Sequence, residues 1–342
     1  MASHRASMKD LAKALNLSVS TISRALSGNK QISEETRERV ATLVKEMNFQ
    51  PNRLASGLRK GRSGTLGVLV PHITGHFFPE AVHSISTEAT KAGYRVMICE
   101  SNEDEKQEKR NLELLLNSQV EGVLVSLANT THDFRHFQAA QQQQVPLVFF
   151  DRVLEEPNIS SVVLDDYQGA YQAVSHLIEQ GCTRIAHITA DPHLNVYRHR
   201  HRGYLAALTA HGITFDEQLV HLCDMSIAEG REAMHKLLAL DTRPDAVFAS
   251  KDTAAIGAMQ VAKEHGLRIP DDLALATYSS EKLSMLVEPP LTSVDQQCAA
   301  VGKAAVRLLL DMMSEEVQPA SARQIILMPS FIVRESSLQR GQ

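Results

Sequence analysis

The apolar positions of the first fifty residues fall at helical spacing in three short blocks. Leu11, Ala12 and Leu15 share one face; after a break at Asn16-Leu17, a second stripe follows at Val19, Ile22 and Leu26, with Ser18 placed as its N-cap. Two helices joined by so tight a turn predict a helix-turn-helix, whose second helix enters the DNA major groove. The polar side of that helix carries Ser20, Thr21, Ser23 and Arg24, hydroxyls and a guanidinium suited to base edges and phosphates. A third helix opens at Ser33-Glu34-Glu35 with an N-cap and an acidic first turn. It presents Val40, Leu43, Val44 and Met47 as the stripe that closes a small core, and Pro51 ends the unit.

From Thr65 onward the period changes. Unbroken apolar runs at 65–70, 94–99, 122–127 and 147–150 read as strands, with helices at 78–92 and near 105–118. A second series of strands follows at 161–164, 184–188, 246–249 and 273–277, again with helices between. Continuous apolar strands separated by helices predict parallel sheets covered on both faces. Two such sheets side by side place a ligand cleft at the carboxyl ends of their strands.

Composition and charge sharpen this picture. A chain of 342 residues suits two or three domains. No apolar run approaches the ~20 residues of a membrane span, and Ser3, His4, Arg5 and Ser7 interrupt any signal-peptide core. The expected setting is therefore cytoplasmic, with Cys99, Cys182, Cys223 and Cys298 as scattered reduced thiols and no metal-ligand spacing among them. Residues 1–62 hold 12 Lys and Arg against 5 Asp and Glu, whereas the remainder holds 23 against 35. A basic head on an acidic body suits a protein that meets a polyanion with one end only.

The segment between head and body, 52–64, is basic and carries Leu54 and Leu58 four residues apart. A helix this short is marginal alone, and Gly57 weakens it by about 1 kcal/mol, so off DNA it reads as a linker. Paired on DNA, the same segment could order and push Leu58 between base steps of the minor groove.

Residues 8–64 closely resemble the head and hinge of the lactose-repressor/galactose-repressor family of bacterial transcription factors. The matching runs are Met8-Lys9-Asp10-Leu11-Ala12, Ser18-Val19-Ser20-Thr21-Ile22-Ser23-Arg24-Ala25-Leu26, Ser33-Glu34-Glu35-Thr36-Arg37 and Pro51-Asn52-Arg53-Leu54-Ala55. The resemblance implies that Val19, Ser20 and Arg24 occupy base-reading positions and that Leu58 is the hinge leucine. Ser18, Thr21, Ser23, Asn29, Asn52 and Arg53 complete the expected DNA-binding set. It implies double-stranded DNA with a pseudo-palindromic operator as partner, and a homodimer.

Over the body the layout resembles the family's effector domain, built like a periplasmic sugar-binding protein from two parallel-sheet α/β lobes. The expected organisation is a head at 1–50, a hinge at 51–63, and an effector-binding and dimerisation domain at 64–342. Lobe one then takes about 64–164 and 295–324 and lobe two about 165–294 and 325–342, with crossings near Leu164, Val294 and Ile325.

Candidate effector-binding residues sit just past strand ends. Phe77 and Phe78 occupy the family's position for aromatic ligand contacts, though either could simply pack. Asp151-Arg152 follows the strand ending at Phe150, where a carboxylate and a guanidinium can bond the hydroxyls of a polar ligand or else form a surface ion pair. The resemblance points Arg200 at the ligand and places Asp252 and Ser279 in the cleft, with Ser279 standing where the family pattern has an aspartate. That replacement, with the basic run Arg198 to Arg202, tilts the expected effector from a sugar toward a sugar acid or phosphorylated sugar. His199 and His201 diverge on a helix and do not suggest a metal, and no cofactor is expected.

The function expected is a sequence-specific transcriptional regulator, a repressor, controlled by a small carbohydrate-derived effector bound between the lobes. A transport protein would share the body but not the basic helical head. An enzyme finds no support in a nucleophile elbow, a P-loop, a dinucleotide fingerprint or a metal cluster.

Overall fold

A computed structural model describes residues 7–26, 29, 31–47, 49, 63–156, 158–280, 282–314 and 322–338. The chain divides into two compact units, Met1–Ser63 and Gly64–Gln342. The expected hinge contacts Asn52, Arg53 and Leu58 lie outside the described residues.

The first unit holds helices α1 (Met8–Leu15), α2 (Val19–Leu26) and α3 (Glu34–Glu46). Helix α1 opens with a capping box in which Ser7 Oγ accepts from the Asp10 N–H at 3.3 Å and the Ser7 N–H donates to Asp10 Oδ2 at 2.8 Å. It ends at Asn16, which takes the left-handed conformation with φ 54°. Ser18 caps α2 as expected, its Oγ accepting from the Thr21 N–H at 3.0 Å. Eight-residue helices do not persist alone in water. What holds them is the burial of Leu11, Ile22 and Val40 in one cluster, each contributing about 1.5–3 kcal/mol. Phe49 joins that cluster from beyond α3, outside the predicted stripe.

The second unit builds two sheets. The first draws on β1 (Thr65–Val70), β2 (Arg95–Glu100), β3 (Val123–Val125), β4 (Leu147–Phe150), β5 (Ser161–Leu164) and β11 (Gln324–Leu327), in the order β11-β5-β4-β3-β1-β2. The second draws on β6 (Ile185–Thr189), β7 (Val220–Leu222), β8 (Ala246–Ala249), β9 (Ala274–Ser279), β10 (Thr292–Asp295) and β12 (Ser330–Ile332), in the order β12-β10-β9-β8-β6-β7. Both sheets are parallel except where β12 runs antiparallel to β10. Helices α4 (Phe77–Lys91) and α11 (Cys298–Met313) cover one face of the first sheet, and α5 (Glu105–Asn117) and α6 (Gln138–Gln142) the other. On the second sheet α7 (Asp166–Glu179) and α8 (Asn195–Ala210) cover one face, and α9 (Ile227–Leu238) and α10 (Asp252–Glu264) the other.

The chain passes between the sheets after Leu164, after Asp295 and after Leu327. The third passage lies beyond the expected one at 324–325: Ile325 pairs with Val162 and Leu327 with Leu164, so both still belong to the first sheet. Strands β7 and β12 are edge strands of three residues, partly open to solvent, and carry too little apolar pattern to be read from sequence.

Helices α7 and α8 meet at Gly203, where an added Cβ would come within 2.3 Å of the Tyr167 carbonyl oxygen. A backbone oxygen cannot swing aside as a side chain can, so the two helices would have to separate. Gly203→Ala is therefore expected to cost about 1–3 kcal/mol in a denaturant titration. An unchanged midpoint would show that the helices can part without loss.

Candidate functional site

In the head, Ser20 and Arg24 are exposed, and Val19, Thr21 and Ser23 are half-buried. Val19 packs partly against the head core, which limits how much of it faces outward. The Ser18 hydroxyl hydrogen-bonds Ser20 Oγ at 2.7 Å and Thr21 Oγ1 at 2.8 Å, linking three of the expected DNA-binding residues. Asn29 shapes the turn after α2, its N–H donating to the Arg24 carbonyl at 3.0 Å and its Oδ1 accepting from the Gln31 N–H at 2.9 Å.

In the body, the candidate residues gather where the carboxyl ends of the two sheets face each other. Arg152 is not the exposed partner of Asp151 that its position suggested. It is 8% exposed, and its Nη1 donates to both carboxylate oxygens of Glu103 at 3.0 and 2.7 Å and to the Leu127 carbonyl at 3.4 Å. Its guanidinium lies 5.6 Å from the centre of the Phe78 ring. Phe78 itself packs, edge-on to Phe77 at 5.1 Å, to His72 at 4.9 Å and to Phe150 at 6.5 Å, while Phe77 stays half-buried.

Arg200 comes from α8 of the second lobe. It is buried, donating from Nε to Asp166 Oδ1 at 2.8 Å and from Nη1 to the Ser250 carbonyl at 2.8 Å, with its guanidinium 3.8 Å from the centre of the Tyr278 ring. The rest of the basic run is dispersed. Arg198 and His199 both bond Glu155 of the first lobe, and Arg202 lies over Tyr167. Asn195 spans the lobes: its Nδ2 donates to the Asp151 carbonyl at 2.9 Å, and its Oδ1 accepts from the Val153 N–H at 2.9 Å.

Asp151 has φ 60° and is half-buried as a residue, with its carboxyl turned away from solvent. Burial pushes its pKa up to about 7; Arg152 and Arg200 oppose that shift, and Asp166 and Glu103 add to it. Asp252 is buried at the start of α10 and accepts from Ser293 Oγ at 3.4 Å. Ser279 ends β9 with φ 128°, a conformation that favours glycine and holds a strained backbone at the cleft.

Four residues around the cleft were not picked out from sequence: His72, Glu103, Asp166 and Asn195. Glu103 and Asp166 each follow a strand end by a few residues, the same positional signal that picked out Asp151. Their partnership with the two arginines depends on sequence-distant contacts that periodicity cannot see.

Residues 7–52 match the description "Bacterial regulatory proteins, lacI family", and residues 174–337 match "Periplasmic binding protein-like domain". The chain is 32% identical to the ribose operon repressor of Halalkalibacterium halodurans over 96% of each chain. It is 33% identical to the transcriptional repressor CytR of Escherichia coli K12 over 90% of each. The chain belongs to the lacI family of bacterial regulatory proteins. Among solved structures of the family, it is similar to the lac repressor dimer bound to operator and the anti-inducer ONPF, with a TM-score of 0.88 and 25% identity over 98% of this chain and 100% of that one. A complex of the transcriptional regulator CelR with cellobiose matches with a TM-score of 0.75 and 29% identity over 97% of this chain and 100% of that one. The lacI-family chain is thus a DNA-binding transcriptional regulator with a helix-turn-helix head and a periplasmic-binding-protein-like body. Among the described residues, no helix is long and apolar enough to cross a membrane and no cluster of metal-ligand side chains occurs.

The raised pKa of Asp151 ties folding to pH. Between about pH 4 and pH 7 the folded protein keeps a proton that the unfolded chain has lost. Its contribution is therefore favourable below about pH 4 and is lost as pH climbs through 7. Asp151→Asn should melt above the wild type at pH 8, with the gap closing toward pH 4. A gap independent of pH would remove the proton linkage.

Proposed function

We propose that this lacI-family protein is a repressor that binds a pseudo-palindromic operator as a homodimer and is controlled by a sugar or sugar derivative held between its lobes. The observation that carries the reading is the convergence of Asp151 and Arg152 from the first lobe with Arg200 from the second, all beside the lobe-bridging Asn195. A ring-shaped polar ligand there would meet donors and acceptors from both lobes with the Phe77 ring alongside. Two similar proteins, a ribose operon repressor and a regulator in complex with cellobiose, also favour a carbohydrate. The dispersal of the run from Arg198 to Arg202 onto Glu155, Asp166 and Tyr167 removes the reason for expecting an acidic or phosphorylated sugar.

In this reading the exposed Arg24 and Ser20 meet base edges, and Leu58 of a paired hinge wedges into the minor groove. The head's excess of Lys and Arg makes operator affinity fall steeply with salt as counterions are released. With an operator selected from randomised duplexes, Arg24→Ala should cost about 1–3 kcal/mol if it bonds a base edge bidentately. Unchanged affinity and sequence preference would exclude Arg24 from base reading, and tight binding by Leu58→Ala would exclude the wedge.

The effector assignment has its own test. A sugar screen by thermal shift should find a stabilising compound, since a ligand that binds only the folded state raises stability by mass action. Asp151→Ala, Arg152→Ala and Arg200→Ala should each abolish that compound's effect on operator affinity while operator binding itself persists. A normal response in all three would place the effector elsewhere.

A further inference from the structure

We propose that Glu103 determines the charge class of the effector: by holding the buried Arg152 in an ion pair, it restricts the cleft to uncharged ligands and bars sugar phosphates and sugar acids. This rests on the reading of the cleft as the effector site.

The cations of the cleft are already engaged. Arg152 Nη1 engages both oxygens of Glu103 and a backbone carbonyl, and the flat of its guanidinium lies against Phe78. Arg200 is engaged by Asp166 and the Ser250 carbonyl, and its flat face lies over Tyr278. Lys251, half-buried beside α10, also acts on this region, through His72. The Asp151 carboxyl stands among Arg152, Arg200, Glu103 and Asp166, so each of the two arginines has a carboxylate partner and a further acidic group beside it. A phosphate entering here would have to displace a fixed carboxylate from an arginine or lie unpaired beside one. Either course costs more than leaving the anion in water.

Glu103 is built to stay where it is. Its Oε2 accepts from the Asn129 N–H at 2.7 Å, and its own carbonyl accepts from Thr130 Oγ1 at 3.0 Å. Asn102 and Glu103 take successive left-handed conformations, φ 52° and 60°, which non-glycine residues seldom adopt. That turn is held so that the carboxylate reaches Arg152. Beside it, His72 donates from Nδ1 to the Thr74 carbonyl at 3.0 Å, which leaves Nε2 facing Glu103 Oε1 at 3.7 Å. The pair therefore presents to the cleft a neutralised guanidinium and an imidazole, groups that suit hydroxyls and not formal charge.

Glu103→Gln keeps the size of the side chain and an oxygen for the Asn129 N–H but removes the negative charge, leaving Arg152 free to bind an anion. The test uses the full chain with three probes: inorganic phosphate, ribose and ribose 5-phosphate, each read as a melting-temperature shift against chloride of equal ionic strength. The wild type is expected to show no phosphate stabilisation that Arg152→Ala removes. Glu103→Gln is expected to gain one, with its affinity for ribose 5-phosphate rising about tenfold or more, a change of about 1.4 kcal/mol. Glu103→Ala serves as the second charge-removing variant if Glu103→Gln does not fold.

Wild-type binding of phosphate or ribose 5-phosphate through Arg152 overturns the inference, as does a folded charge-removing variant with no gain for either anion. Operator affinity separates the two readings. An anion that gains affinity for Glu103→Gln and also shifts its operator binding supports both. A gain that leaves operator binding unmoved supports the charge role of Glu103 and overturns the effector reading of the cleft.

Discussion

Two buried arginines, Arg152 and Arg200, set the terms for the whole body of this protein, because each brings a charge to a place that water scarcely reaches. Leaving Arg200 without Asp166 would cost about 3–5 kcal/mol, a large share of the stability of any single domain, whereas the partly exposed Glu103 makes the Arg152 pair cheaper to break. Asp166 is therefore a structural necessity as well as part of the cleft, while Glu103 neutralises Arg152 nearer to solvent. The same pairing decides what chemistry the cleft can offer. A guanidinium committed to a carboxylate still donates through its remaining N–H groups, but it no longer supplies a net charge. The Phe78 and Tyr278 rings lie 5.6 and 3.8 Å from the two guanidinium carbons, so each arginine is held by hydrogen bonds and has an aromatic ring beside it.

These pairs also reach beyond the cleft. Glu103 holds the Asn129 N–H, and the carbonyl of Asn129 accepts from His193 Nε2 of the second lobe at 2.5 Å. His193 is steadied in turn by Asp191, whose Oδ1 accepts from its backbone N–H at 2.9 Å. Arg152 is therefore connected, through the Glu103 carboxylate and the backbone of Asn129, to a contact between lobes. On the other side, Asn195 ties the backbone on both sides of Arg152 to the helix that carries Arg200. The strained backbone at Ser279 and the left-handed pair at Asn102 and Glu103 lie in this same region, as conformational cost concentrated at a site often does.

How much of this could be read from the chain depended on range. The head was legible nearly residue by residue, because caps, stripes and a turn are all local: Ser18, Asn16 and the Val40 stripe act within a few positions of themselves. The sheets were legible as well, since strands buried on both faces announce themselves as unbroken apolar runs such as Leu147-Val148-Phe149-Phe150. Edge strands such as Val220–Leu222 carry no such run and escaped. In the cleft, strand ends pointed to Asp151 and Arg152 and the family resemblance to Arg200, but neither told which charge meets which. Arg152 stands next to Asp151 in sequence and pairs with Glu103, 49 residues away. Local spacing has no access to that choice, nor to the partners Glu155, Asp166 and Tyr167 that take up Arg198, Arg200 and Arg202.

For a ligand-controlled regulator, the energetics place a further constraint on these contacts. A ligand shifts a conformational equilibrium only by the difference between its affinities for the two states, however tightly it binds either one. A ligand touching Arg152 alone, or Arg200 alone, would bind two lobe arrangements almost equally and shift nothing. The difference has to come from groups whose relative position changes when the lobes move. In this structure those are Asn195 with the backbone at Asp151 and Val153, His193 with Asn129, and Arg198 and His199 with Glu155. Each joins a residue of one lobe to a residue of the other, and the first two connect directly to the cleft. Operator affinity and effector affinity are then reciprocal by linkage, and the size of the switch is bounded by what those few bonds gain or lose.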